Sequence, residues 1–229
     1  MKALIDAERI HTIVTEDETL AALIAAGTPG APFEELARRV YDDTLELLSA
    51  SESQAALERA IALGEAAIAE VAERRRRLRV VAPELACARG CSSCCVLRVE
   101  IGPLEAARLA PLVDELGVRA EVERLAREVG SLDRRERLAA RRSCALLGPD
   151  GACRVHAARP LACRAANSLS RAACESAAAE ADTSVRIPVD GAPLGLMRAA
   201  ALGLSLACAD AGLNAARKEL HRALAELEA

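Results

Sequence analysis

The sequence predicts a mainly α-helical fold, with a small irregular cysteine-rich core and a short hairpin set among the helices. Three observations predict it. Apolar residues recur at helical spacing through both ends of the chain. Eight of the nine cysteines fall between residues 87 and 174, where that periodicity is broken into short pieces. Aromatic residues are almost missing, Phe33 and Tyr41 standing alone, so the core has to be built from Leu, Val, Ile and Ala.

Taken in order, Thr15 to Ala26 reads as a first short helix, with Thr15 as N-cap and Glu18 three residues on. The run Gly27-Thr-Pro-Gly30 ends it. Phe33, Leu36, Val40 and Leu47 place an apolar stripe on a helix from about Pro32 to Ser49. Leu57, Ile61, Ile68 and Val71 do the same for a longer helix from near Ser51, and the two are expected to pack as an antiparallel pair. Arg74 to Arg77 close that helix, where cations complement the dipole and meet solvent. Val96 to Ile101 is a candidate short strand. Leu109, Leu112, Val113 and Leu116 mark a helix opening at Pro103, and Val118, Val122, Leu125 and Val129 mark the next. Leu147-Gly-Pro-Asp-Gly151 is a tight turn, predicting a small hairpin between Cys144 and Cys153. Short helices are expected over Pro160 to Glu180 and an extended stretch over Thr183 to Val189. Two helices broken near Gly212 are expected over Gly191 to Ala229. The domain organisation expected is an N-terminal helical region, 1–85, and a cysteine-cluster domain with C-terminal helices, 86–229.

The totals narrow the function classes. A chain of 229 residues buries about 70–75% of the surface its unfolded form exposes, so disulfide staples are not needed for folding. A net charge of −4 with two aromatic side chains argues against a nucleic-acid partner, which needs a basic face and stacking rings. The stretch Leu194 to Ala209, interrupted by Arg198, reads as too short to span a membrane. The acidic start, with Asp6, Glu8, Glu16, Asp17 and Glu18, does not resemble a secretory signal. A cytoplasmic, reducing location is therefore expected, where clustered cysteines mean metal sooner than disulfides.

The cysteines form two groups: Cys87-x3-Cys91-x2-Cys94-Cys95, and Cys144-x8-Cys153-x9-Cys163-x10-Cys174. Thiolates two or three residues apart reach one ion from a turn, and zinc takes four soft ligands in a tetrahedron. Iron, as ions or as an iron–sulfur cluster, uses the same thiolate chemistry. Eight thiols exceed one tetrahedral site, which leaves room for a second centre or bridging thiolates. Adjacent Cys94 and Cys95 are expected to point in different directions. Cys208 shares an apolar helical face with Leu194, Met197, Ala201 and Leu204 and reads as a core residue. Cys87-x3-Cys91-x2-Cys94 is also the spacing of radical-SAM enzymes, but the helical pattern and Ser93 before the third cysteine speak against that barrel. His11 is placed in a disordered start and His221 on an exposed terminal helix; His156, three residues after Cys153, reads as a surface or packing residue. Glu100 and Glu105 read as ordinary helix-start charges. No catalytic residue is assigned.

Taken together these residues resemble the YkgJ-type family, a zinc- or iron-chelating domain known by its CxxCxxCC motif, over about Cys87 to Cys174. The resemblance is carried by the cysteine knot and the Val96 to Leu109 segment that follows it. Cys144-Ala-Leu-Leu-Gly-Pro-Asp-Gly-Ala-Cys153 and Arg159-Pro-Leu-Ala-Cys163-Arg164 complete it. Departures are the x3 first gap and His156 where a tyrosine is usual. The resemblance implies a mainly α domain with an irregular metal-binding core. Its ligands would be Cys87, Cys91, Cys94, Cys95, Cys144, Cys153, Cys163 and Cys174, with Arg159 and Arg164 donating to thiolates from behind. It implies zinc or iron as cofactor and a metal ion as partner; the N-terminal helices offer a surface for a protein partner, and from charge and hydropathy neither nucleic acid nor membrane is expected. A flagellin lysine methylase carries a similar motif, so iron–sulfur redox or protein-modification chemistry is the alternative function.

Overall fold

The computed structural model of the chain describes residues 5–227. It contains eleven α-helices and one two-stranded ladder among those residues, and it divides into two compact units. The first unit joins residues 1–83 to 190–215; the second joins 84–189 to 216–229. The long C-terminal helix does not stay with the cysteine segment: it packs into the N-terminal helices, which cover its apolar surface.

In the first unit α1 (Ala7–Glu16), α2 (Glu18–Ala25), α3 (Ala31–Ser49) and α4 (Ser53–Arg77) surround α10 (Gly191–Asp210). The single helix expected over Thr15 to Ala26 is two. Asp17 caps α2, accepting from the amides of Thr19 and Leu20 at 3.1 Å, whereas Thr15 belongs to α1 and donates to the His11 carbonyl at 2.8 Å. His11 itself lies in α1, with Nδ1 2.9 Å from Glu34. Phe33, Leu36, Val40, Leu57, Met197 and Leu204 form the core. Small residues on α10 let the helices come close: a Cβ at Gly203 would lie 2.3 Å from the Ala37 carbonyl oxygen of α3. Both ends of α10 are pinned by ion pairs. Asp190, its N-cap, takes a two-pronged contact from Arg75 at 2.5 and 2.9 Å. Asp210, unfavourable at a helix C-terminus, is held by Arg9 at 2.6 and 2.8 Å and by the Tyr41 hydroxyl at 2.7 Å. At 20 residues α10 is long and apolar enough to cross a membrane, contrary to the sequence expectation, and just over half of its most apolar window is buried against neighbouring helices.

In the second unit α5 (Pro103–Glu115), α6 (Arg119–Val129) and α11 (Leu220–Ala225) enclose a core of Leu109, Val113, Val122, Leu125, Leu146 and Leu224. β1 (Glu100–Ile101) pairs antiparallel with β2 (Lys218–Glu219), Glu100 opposite Glu219, which draws the chain end back beside the first cysteine group. Three short helices, α7 (Arg134–Ala139), α8 (Leu161–Ala165) and α9 (Arg171–Glu180), complete it. Helix α7 is capped by Asp133 and Glu136, each accepting from the other's amide. The hairpin predicted between Cys144 and Cys153 is present as one bridge, Leu147 opposite Cys153, closed by Gly151 in a left-handed conformation at φ +73°. Thr183 to Val189 is irregular.

Candidate metal centre

Four stretches of the second unit carry the eight clustered cysteines, and backbone contacts tie those stretches together. Cys94 and Cys95 lie in a 3-10 turn, Ser93–Val96. The Cys144 amide donates to the Cys95 carbonyl at 3.0 Å, joining the start of the hairpin to that turn. The Ala86 amide donates to the Ser168 carbonyl at 2.8 Å, anchoring the Cys87 loop beside the stretch that leads into α9 and Cys174. Gly90 and Gly151 meet directly: a Cβ on Gly151 would lie 3.0 Å from the Gly90 carbonyl oxygen, and both glycines have positive φ. A side chain at Gly151 would press on the first cysteine loop.

Helix α8 carries Cys163, and its start is held by a residue read from sequence as an ordinary helix-start charge. Glu105, 3% exposed, accepts from the Leu161 amide through Oε1 and from the Gly102 amide through Oε2, both at 2.8 Å. One buried carboxylate therefore starts both α5 and α8. Arg164 is turned to the backbone, its Nε donating to the Arg159 carbonyl at 2.8 Å and its guanidinium also to the Ala157 carbonyl. It braces the turn that presents Arg159.

The sulfurs act on one another. Cys94 and Cys95, expected to diverge, are hydrogen-bonded: the Cys95 thiol donates to Cys94, drawing the Cys94 pKa down to about 6 with help from Arg159, while Cys95 is pushed far up by the same bond and by burial. Burial raises Cys163 strongly, and the negative fields of Cys144, Cys94 and Cys153 add to it. Cys153 is raised by burial, and Cys87 by burial together with Cys91, Cys94 and Cys174. These mutual fields link Cys94, Cys95, Cys144, Cys153 and Cys163 with one another, and Cys87 with Cys91, Cys94 and Cys174. The positive charge of Arg159 bears on Cys94, Cys153 and Cys163. None of the nine cysteines is paired, and Cys208 is apart from the rest, buried in α10 of the first unit. His156 is exposed, with its pKa lowered chiefly by Arg159.

Sequence reasoning missed two buried groups behind Cys144. His221, expected on an exposed helix, is 2% exposed. Its Nδ1 lies 2.8 Å from Glu219, itself 1% exposed, and its Nε2 lies 3.2 Å from the Ala145 amide and within reach of the Cys144 sulfur. Burial opposes a charge on the ring, but Cys144 and Glu219 outweigh it and raise the pKa to about 9. The second is Arg137 of α7, with no exposed surface. His221 reaches Cys144 from a distant part of the sequence, whereas Arg137 donates to the Arg142 carbonyl, and no local pattern announces the burial of either.

In kind and number the donors suit zinc or iron: soft sulfur ligands, grouped, partly buried and backed by cations. Among the described residues, no three His, Cys, Asp or Glu side chains converge closely enough to close a coordination shell as they stand. The arrangement is that of a thiol-rich domain on a helical frame, its ligand loops tied together by their backbones. Residues 86–183 match the family model CxxCxxCC, described as "Putative zinc- or iron-chelating domain". No curated protein and no solved structure matches the chain.

Proposed function

We propose that the second unit binds zinc or iron through thiolates of Cys87, Cys91, Cys94, Cys95, Cys144, Cys153, Cys163 and Cys174. The observation that carries this reading is the Cys144–Cys95 backbone hydrogen bond, which brings together two cysteine groups 49 residues apart in sequence. A bound ion would draw protons off the raised thiols and crosslink the loops that carry them, so its binding energy would serve as folding energy. Arg159 would offset the thiolate charge, and Arg164 would position Arg159. Nine unpaired thiols support a reducing compartment such as the cytoplasm. Partners would be the metal ion and a protein, in line with the net charge of −4.

The test is metal analysis of protein purified anaerobically, with serine placed singly at Cys91, Cys94, Cys153, Cys163 and Cys208. Metal is expected in the wild type and the Cys208→Ser variant, and lost from the other four. A wild type that takes up neither zinc nor iron ends the reading. Broad absorbance near ~400 nm would identify the iron form as an iron–sulfur cluster.

A further inference from the structure

We propose that the end of α4 and the turn after it, Arg74 to Val81, dock on the surface of an anionic lipid bilayer. The arginines would meet headgroup phosphates, and Leu78, Val80 and Val81 would enter the edge of the hydrocarbon. This goes beyond the metal-binding reading and does not depend on it, because these residues belong to the first unit, which carries none of the clustered cysteines. Leu78 is 63% exposed, Val80 54% and Val81 91%. They make up half of the six large aliphatic side chains exposed among the described residues, within four positions of one another. Their exposure has a local cause. Helix α4 ends in a left-handed cap, with Arg79 at φ +54°, the Arg79 amide donating to the Arg76 carbonyl at 3.1 Å and the Val80 amide to the Arg75 carbonyl at 2.9 Å. In such a cap the residue at the position of Val80 commonly folds against an apolar side chain in the last turn of the helix. Here the two candidates are Arg74 and Arg75, so Val80 finds no apolar cover.

Charge says what covers them. Five arginines, Arg74 to Arg77 and Arg79, stand in six positions. Arg75 is spent on Asp190, and Glu73 serves both Arg76 at 2.6 Å and Arg77 at 4.0 Å. Arg74 and Arg79 have no ion pair among the described residues. Five guanidiniums facing two carboxylates leave an excess of three positive charges, which the chain's net charge of −4 conceals. A polybasic segment of this kind is drawn to an anionic leaflet. Nucleic acid would also supply phosphates, but it asks for rings to stack on its bases, and the segment offers only aliphatic side chains. A protein groove asks for apolar groups lined up on one face of a helix or strand. Leu78 lies in the turn, and Val80 and Val81 follow it in irregular chain. A fluid interface accepts apolar side chains in any arrangement.

The experiment is flotation of the full-length reduced protein, at low salt, with vesicles of phosphatidylcholine alone and of phosphatidylcholine mixed with phosphatidylserine. Wild type is compared with the double variant Arg74→Ala, Arg79→Gly and with Val81→Ser. All three positions are exposed, and glycine suits the positive φ at 79, so thermal midpoints should not fall. Wild type is expected to float with the mixed vesicles and not with phosphatidylcholine alone, and added salt should release it. The double variant should bind about twentyfold more weakly, each arginine being worth about fivefold, and Val81→Ser about fivefold more weakly. No binding to the mixed vesicles overturns the proposal. If wild type then self-associates in sedimentation velocity and Val81→Ser does not, the surface belongs to a second copy of the chain. Equal binding to both kinds of vesicle also overturns it, because the arginines then play no part. So does binding by both variants as tight as wild type, which assigns the lipid contact to another surface such as α10. Should the double variant not fold, Arg74→Ala and Val81→Ser decide by the same criteria.

Discussion

Glu105 is the residue on which the frame of the cysteine site depends most, and its replacement gives the sharpest check of that frame. Its Oε1 accepts from the Leu161 amide, buried at the start of α8, and its Oε2 from the Gly102 amide at the start of α5; Arg217 Nη1 lies 3.6 Å from the same Oε2. Hydrogen bonds to a charged group contribute about 1.5–3 kcal/mol each. Gly102 is half-buried and water can replace part of its bond, whereas the Leu161 amide would be left unsatisfied in the interior. Together the two losses put Glu105→Ala at about 3–5 kcal/mol, a large share of the roughly 5–15 kcal/mol that holds a domain together. Glu105→Gln is expected to recover only part of this, because its one amide oxygen meets one N–H and its NH₂ confronts the other. Urea denaturation of metal-free protein measures the loss. Alkylation followed by mass spectrometry reads the consequence at the site: Cys163, two residues beyond Leu161, should react about tenfold faster for every 1.4 kcal/mol by which its local opening becomes easier. A loss under about 1 kcal/mol for Glu105→Ala, or a glutamine variant as stable as wild type, would refute the role given to this carboxylate.

Three further outcomes are expected. Gly203→Ala should destabilise the first unit even though alanine favours a helix by about 1 kcal/mol, because its Cβ meets the backbone oxygen of Ala37 at 2.3 Å and overpacking costs about 1–3 kcal/mol or more. Gly64→Ala, which meets the movable Met197 sulfur at 2.9 Å, should cost less, and the reverse order in thermal melts would count against the close approach of α3 and α10. Arg75 holds the Asp190 carboxyl below its ordinary pKa, so the stability it contributes is full above the unfolded value of about 3.9 and is lost as pH falls through the depressed folded value. The difference in thermal midpoint between wild type and Asp190→Asn should therefore be constant near neutrality and shrink only in acid; a gap independent of pH would contradict this. Thiol counting should find all nine cysteines reactive under denaturant with chelator, and Cys208 still masked in native protein stripped of metal, because burial in α10 and not a metal protects it.

How much was legible in the sequence varies with the range of the interaction. The helices α3, α4, α5 and α6 follow from apolar residues three and four apart, a local pattern that one buried face imposes. The hairpin between Cys144 and Cys153 follows from a turn whose Gly151 takes a positive φ. Helix α7 has a capping box but only six residues, too few to show a period. Splitting the first helix at Asp17 depends on a carboxylate that caps α2 while pairing with Arg198, 181 residues away. That separation hides it from any local reading.

By itself the sequence determined which side chains are thiols, their order and their spacing, the pattern that matches the model of a zinc- or iron-chelating domain, because donor type is a property of each residue alone. Only the tertiary structure decided which groups surround those thiols. It put α10 and Cys208 with the N-terminal helices, buried His221 and Glu219 behind Cys144, gave Glu105 two helix starts to hold, and left Arg137 as a buried cation with two donors unmatched. Those assignments turn on burial and on charge in a medium of low polarity. Both are set by what the fold packs around a residue and not by its neighbours in the chain.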